Sequence, residues 1–126
     1  MLISFALALV FQQDVDRDVA LLMQLPESRA TYEASVQWSE CLDASRDRLE
    51  PSGEPATAVA KAALFSCQQQ FGTLFQAIVA LNMATQPNAI EADVRRTQIE
   101  RNADQFRTQE WRIIHDVVTL RLARRQ

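Results

Sequence analysis

The sequence predicts an all-α fold: an antiparallel three-helix bundle over about residues 27–50, 56–86 and 88–123, with a short N-terminal helix and a disulfide-stapled hairpin. Three observations carry this reading. Apolar residues recur every three or four positions over stretches too long for strands. The chain has only two glycines and four prolines, and Pro26, Pro51, Pro55 and Pro87 all fall between those stretches. Finally, Cys41 and Cys67 lie on either side of the turn Glu50-Pro51-Ser52-Gly53-Glu54-Pro55.

Composition bounds the function classes. A chain of 126 residues, 48% apolar, makes one domain with a sizeable core. Twelve arginines and one lysine (Lys61) face sixteen acids, for a net charge of −3. That balance argues against a nucleic-acid partner, whose binding rests on a basic face. Residues 1–87 carry −5 and residues 88–126 carry +2, an asymmetry that reads as complementary solvated faces within a bundle.

Residues 2–11, Leu-Ile-Ser-Phe-Ala-Leu-Ala-Leu-Val-Phe, are too few to span a bilayer but match the apolar region of a secretory signal. Residues 1–13 are therefore read as a signal-type segment and 14–126 as a single helical domain. No Lys or Arg precedes the run, which a start site assigned too far downstream would explain, and Val10-Phe11-Gln12 is a poor cleavage site. The alternative is a buried N-terminal helix and a cytoplasmic protein. The cysteine pair favours export, because stable disulfides belong to oxidising compartments.

Asp14, Asp16 and Asp18 precede Val19–Leu25 and Pro26, which suits a short helix with acids in its first turn. The alternating acids lack the glycine and glutamate of a calcium loop; Val19 and Leu25 occupy those places.

On the first long helix Tyr32, Ala34, Trp38, Cys41, Leu42, Ser45 and Leu49 form the apolar stripe. On the second, Ala60, Ala63, Leu64, Cys67, Phe71, Leu74, Phe75, Ile78 and Leu81 do so more strongly. Cys41 lies ten residues before Pro51 and Cys67 twelve after Pro55, so on antiparallel helices the sulfurs stand at nearly the same height. Closing that loop is worth roughly 3.5 kcal/mol by chain entropy. The other reading is two reduced cysteines packed as small hydrophobes.

Asn88 with Glu91 reads as a capping box opening the third helix. Arg95–Gln105 is nearly all polar. Beyond it Phe106, Ile113, Val117 and Leu120 form one stripe, and Trp111, Ile114, Val118 and Leu122 a second beside it, a width that implies two packing partners. The polar half then lies beside Phe75, Ile78, Val79 and Leu81, which need another cover: residues 14–25, the N-terminal run or a second copy of the chain.

The pattern Tyr32…Trp38-x-x-Cys41-Leu42…Pro55-x-x-x-Val59-Ala60-x-Ala62-Ala63-Leu64-x-x-Cys67 resembles small exported, uncharacterised helical proteins of alphaproteobacteria, in which an aromatic-x-x-Cys helix faces an Ala-rich helix with a second cysteine. The resemblance covers residues 32–67 and implies a cysteine-paired hairpin; it brings no activity and no functional residues with it.

Chemistry is sparsely provided. His115 is the only histidine, beside Asp116, and at the margin of an apolar face it reads as a structural histidine. With reduced Cys41 and Cys67 it would lack a fourth metal ligand. There is no haem-attachment motif, no Glu-x-x-His pair, no phosphate loop and no nucleophile elbow. Glu33, Glu40, Asp43, Arg46, Asp47 and Arg48 read as a solvated outer face, Gln68–Gln70 as ordinary surface, and Trp38 and Trp111 as core anchors. The resulting expectation is a non-enzymatic periplasmic or secreted protein, without cofactor or metal, that binds a protein partner or itself through a helix face. The second reading is a small-ligand or metal carrier with a pocket near Trp38, Cys67, Trp111 and His115. Candidate interaction residues are Trp38, Phe75, Ile78, Trp111 and His115.

Overall fold

The computed structural model describes residues 20–21 and 24–125 of the chain. The signal-type run, the three aspartates and most of the short N-terminal helix lie outside them. Helix α1 spans Pro26–Leu49, a single 3-10 turn covers Glu50–Ser52, α2 spans Ala56–Ser66, α3 Gln68–Thr85 and α4 Glu91–Arg124. There is no strand among the described residues. The fold is all-α, as expected.

Helix α1 starts where proline is pre-organised for it: Pro26 lies in the first turn, with the φ that the helix needs and no N–H to leave unpaired. Glu27 at its start and Arg46 and Arg48 at its end oppose the helix dipole. Gly53 closes the following turn at φ +77°, a left-handed conformation suited to glycine.

The second expected helix is divided. Cys67, with φ −104° and ψ 17°, leaves helical geometry and separates α2 from α3. The hydrogen-bond ladder nevertheless bridges the break: Cys67 N–H donates to Ala63 O and Phe71 N–H to Cys67 O, both at 3.1 Å. The interruption falls on the one residue of this run that is covalently tied to α1, since Cys41 and Cys67 form a disulfide with Cα atoms 5.9 Å apart.

The capping box is also corrected. Helix α4 begins at Glu91 with Ile90 as its cap residue and no side-chain cap. Asn88 sits in the preceding turn, where Ala89 N–H reaches back to Gln86 O at 3.0 Å. Glu91 instead pairs with Arg95, one turn on, at 3.1 Å.

Helices α1 and α4 run parallel, with α2 and α3 antiparallel to both. Asp43–Arg112, Arg46–Asp116 and Glu50–Arg124 link them in matching chain order. The core between them contains Leu42, Val59, Ala60, Ala63, Cys67, Ile113 and Val117, all closed to solvent. Leu42, Val59, Ile113 and Val117 each contribute about 1.5–3 kcal/mol by burial. Trp38, Phe71 and Phe106 meet above them, with ring centroids 5.0, 6.1 and 4.4 Å apart. Tilted and edge-on geometries of this kind add about 0.5–1.5 kcal/mol per pair. Tyr32, placed on the stripe by periodicity, is exposed.

Candidate functional site

Helix α4 presents three different surfaces, and its ion pairs fix which residues fall on each. Ile113 and Val117 point into the core. Along the flank facing α1, Arg112 Nη1 donates to Asp43 Oδ1 and Arg46 Nη1 to Asp116 Oδ2, each at 2.7 Å. Burial pulls the Arg46 pKa down, but its hydrogen bond to Asp47 and the charges of Asp47, Asp43 and Asp116 outweigh that, and the net shift is upward. Asp43 and Arg46 therefore belong to the α1–α4 contact and not to a purely solvated face.

At the end of this seam sits Glu50, only 3% exposed. Its carboxylate accepts from Arg124 Nη1 at 2.7 and 2.8 Å, and Arg121 Nη2 donates to its backbone oxygen at 2.9 Å. A carboxylate so far removed from water is tolerable only with charged donors around it. Nothing in the local sequence singles out Glu50; its partners lie about seventy residues away along the chain.

With Ile113 inward and Arg112 and Asp116 held by α1, most of the second apolar stripe faces outward, and Leu120, expected on the inward stripe, is exposed as well. Trp111 is 67% exposed, and Val118 and Leu122 are exposed with it. Trp111 is thus not a core anchor. His115 lies on the same outer face, its side chain 78% exposed and Nδ1 3.6 Å from Asp116 Oδ1, so it is no buried structural histidine. Ile114 is half-buried against the core. The expected second packing partner is not another helix among the described residues.

Of the other candidates, Trp38 is in the core, and its Nε1 has no hydrogen-bond partner among the described residues. Cys67 is fully buried in the disulfide, with Ser45 Oγ 3.4 Å from its sulfur. Phe75 and Ile78 are half-buried on α3, and Ile78 packs against the core. Trp38 and Cys67 thus face inward while Trp111 and His115 face outward, so these four do not surround a common pocket. Val79, for which a cover was expected, is buried. Among the described residues no three His, Cys, Asp or Glu side chains are placed to hold a metal ion, and no helix is long and apolar enough to cross a membrane.

Trp111, His115, Val118 and Leu122 follow one another at spacings of four, three and four, the repeat of a helix-pairing seam. The sequence shows that spacing; its exposure depends on where the ion pairs turn α4. The chain matches no family model, and neither a curated protein nor a solved structure matches it.

Proposed function

We propose that this is an exported, non-enzymatic helical protein that self-associates through the outer face of α4. The observation that carries the reading is a tryptophan 67% exposed in line with Val118 and Leu122 on one helix. Large apolar residues aligned along one surface mark interaction sites more often than isolated ones do, and exposed tryptophan is a frequent anchor of interfaces.

The seam spacing suits another helix as occupant, and charge favours a second copy in antiparallel orientation. With Trp111 opposite Leu122 of the second copy, His115 meets Val118, and Arg125 comes beside the exposed Asp104–Arg107 ion pair, whose charges balance. A parallel pair would set Arg125 against Arg125. A four-residue seam is small against a standard interface of about 1,600 Å², so the pairing is weak and concentration-dependent. Export is supported by the Cys41–Cys67 disulfide, which suits an oxidising compartment, and by the apolar run at residues 2–11.

Sedimentation velocity over a concentration series tests the association. The wild-type chain is expected to shift toward a dimer as concentration rises, and Trp111→Glu to stay monomeric with unchanged helicity. A wild-type chain that stays monomeric at about 1 mM, the affinity limit of useful association, would overturn self-association. Export is tested separately by intact mass of the natively expressed protein: loss of the N-terminal run supports it, and a full-length chain with two free thiols refutes it.

A further inference from the structure

At the end of the bundle away from the cysteines, α4 makes an unfavourable choice. Gln98 is 4% exposed, while its neighbour Ile99 is 61% exposed. Gln98 lies on the stripe that continues through Asn102 and Phe106 to Ile113, so helix rotation alone puts the amide inside. Leaving isoleucine in water forgoes about 1.5–3 kcal/mol, and a buried amide without partners costs about 1–3 kcal/mol. The compensation within the chain is thin. Gln98 Nε2 donates to Asn102 Oδ1 at 3.3 Å, one long hydrogen bond for a side chain that can make several.

Gln98 lines a cleft of about 290 Å³ between the end of α3 and the first turns of α4. Asn82, Asn88, Asp93, Thr97 and Arg101 share it with the apolar Val94. The volume lies at the lower bound of small-molecule sites, which hold about 300–1,000 Å³.

Arg101 supplies an independent observation. Along this half of α4 the neighbouring arginines pair back by one turn: Arg95 with Glu91, Arg96 with Asp93 and Arg107 with Asp104. Arg101 has Thr97 and Gln98 at those two positions and no ion pair among the described residues. The sequence places neutral hydrogen-bonding groups where its neighbours have a carboxylate, and all three residues line the cleft.

We propose that this cleft is a binding site for a small carboxylate that also bears an amide or hydroxyl group, the chemical class of a polar amino acid. Arg101 pairs with the carboxylate in bidentate fashion. The Thr97 hydroxyl and the Gln98 amide exchange hydrogen bonds with the polar end, while Asn82, whose Nδ2 donates to Ile78 O and whose Oδ1 accepts from Gln86 Nε2, borders it. Asp93, engaged by Arg96, disfavours a second carboxylate. The site is remote from the outer stripe of α4 and does not depend on self-association.

The test is a titration of the isotope-labelled full chain followed through its backbone and side-chain amide resonances, with L-glutamine as probe and L-glutaminamide, which lacks the carboxylate, as control. L-Glutamine is expected to give saturable shifts confined to the cleft. L-Glutaminamide and the Arg101→Met variant should each bind at least about tenfold more weakly, the worth of one charge-assisted hydrogen bond. Gln98→Leu, which should fold, is expected to lose affinity by a similar factor. Absence of shifts with L-glutamine up to about 20 mM, well above a millimolar Kd, would overturn the proposal. So would equal binding of the two probes, or shifts that survive in Arg101→Met.

Discussion

At the cysteine end of the bundle Leu42, Ala60, Ala63, Ile113 and Val117 exclude solvent and a covalent bond ties α1 to the α2–α3 junction. At the opposite end a glutamine takes the inward position of α4, and Ile90 and Ile99 face water. The same helix therefore serves two purposes along its length. Where close packing surrounds it, apolar volume and ion-paired flanks hold it against α1 and α2. Where it pairs mainly with the end of α3, polar groups occupy the same stripe and leave a cleft. The difference teaches that stability is concentrated toward the staple, so the far end can carry groups chosen for something other than packing.

That contrast can be broken at its strongest point first. Replacing both cysteines, Cys41→Ala with Cys67→Ala, removes closure of a 26-residue loop and is expected to cost about 3.5 kcal/mol in urea unfolding. Reductant should then have no further effect on the variant, while it destabilises the wild-type chain. A loss under about 1 kcal/mol would mean that packing alone holds this end.

Core truncation should show the same polarity. Leu42→Ala, at a site with no exposure, is expected to cost about 3 kcal/mol, whereas the half-buried Leu81→Ala should cost about 1 kcal/mol. Equal losses would erase the distinction between the two ends.

The Glu50 clamp comes next. Glu50→Gln leaves Arg121 and Arg124 without their carboxylate and is expected to cost about 2 kcal/mol, the scale of charge-assisted hydrogen bonds. Because Arg124 itself is partly exposed, the loss should stay below that of a wholly buried pair.

The smallest effect has the opposite sign. Gln98→Leu exchanges a poorly paired amide for an apolar side chain and is expected to raise stability by up to about 1 kcal/mol in the same unfolding assay. Destabilisation would show that the amide is structural, and would sharpen the contrast by moving the ordered core further along α4.

Much of the fold was legible because it rests on local periodicity. Trp38, Leu42 and Ser45 on α1 and Ala60, Ala63, Phe71 and Leu74 on the facing helices lie where three-and-four spacing put them, and the turn at Pro51–Pro55 fixed the heights of the two cysteines. The break at Cys67 was not legible, because the residues around it are good helix formers and the tie to Cys41 acts across the bundle. Asn88 carried a capping signature, yet the turn ended three residues later and left Glu91 to Arg95. Trp111, Val118 and Leu122 share a face, as their spacing implies, but that face is exposed, and Ile114 of the same stripe turns toward the core.

The sequence by itself determined the three helical runs, the hairpin and the pairing height of Cys41 and Cys67, since spacing and turn residues act between neighbours in the chain. Tertiary structure alone decided how α4 would be turned, burying Ile113 and Val117 and leaving Trp111, Val118 and Leu122 outside. A helix with apolar residues on both sides can rotate either way until distant charges choose. Here Asp43, Arg46 and Glu50 hold Arg112, Asp116, Arg121 and Arg124, turning Ile113 inward and Trp111 and His115 to the surface. Those partners are about seventy residues apart in sequence, beyond the reach of any local pattern.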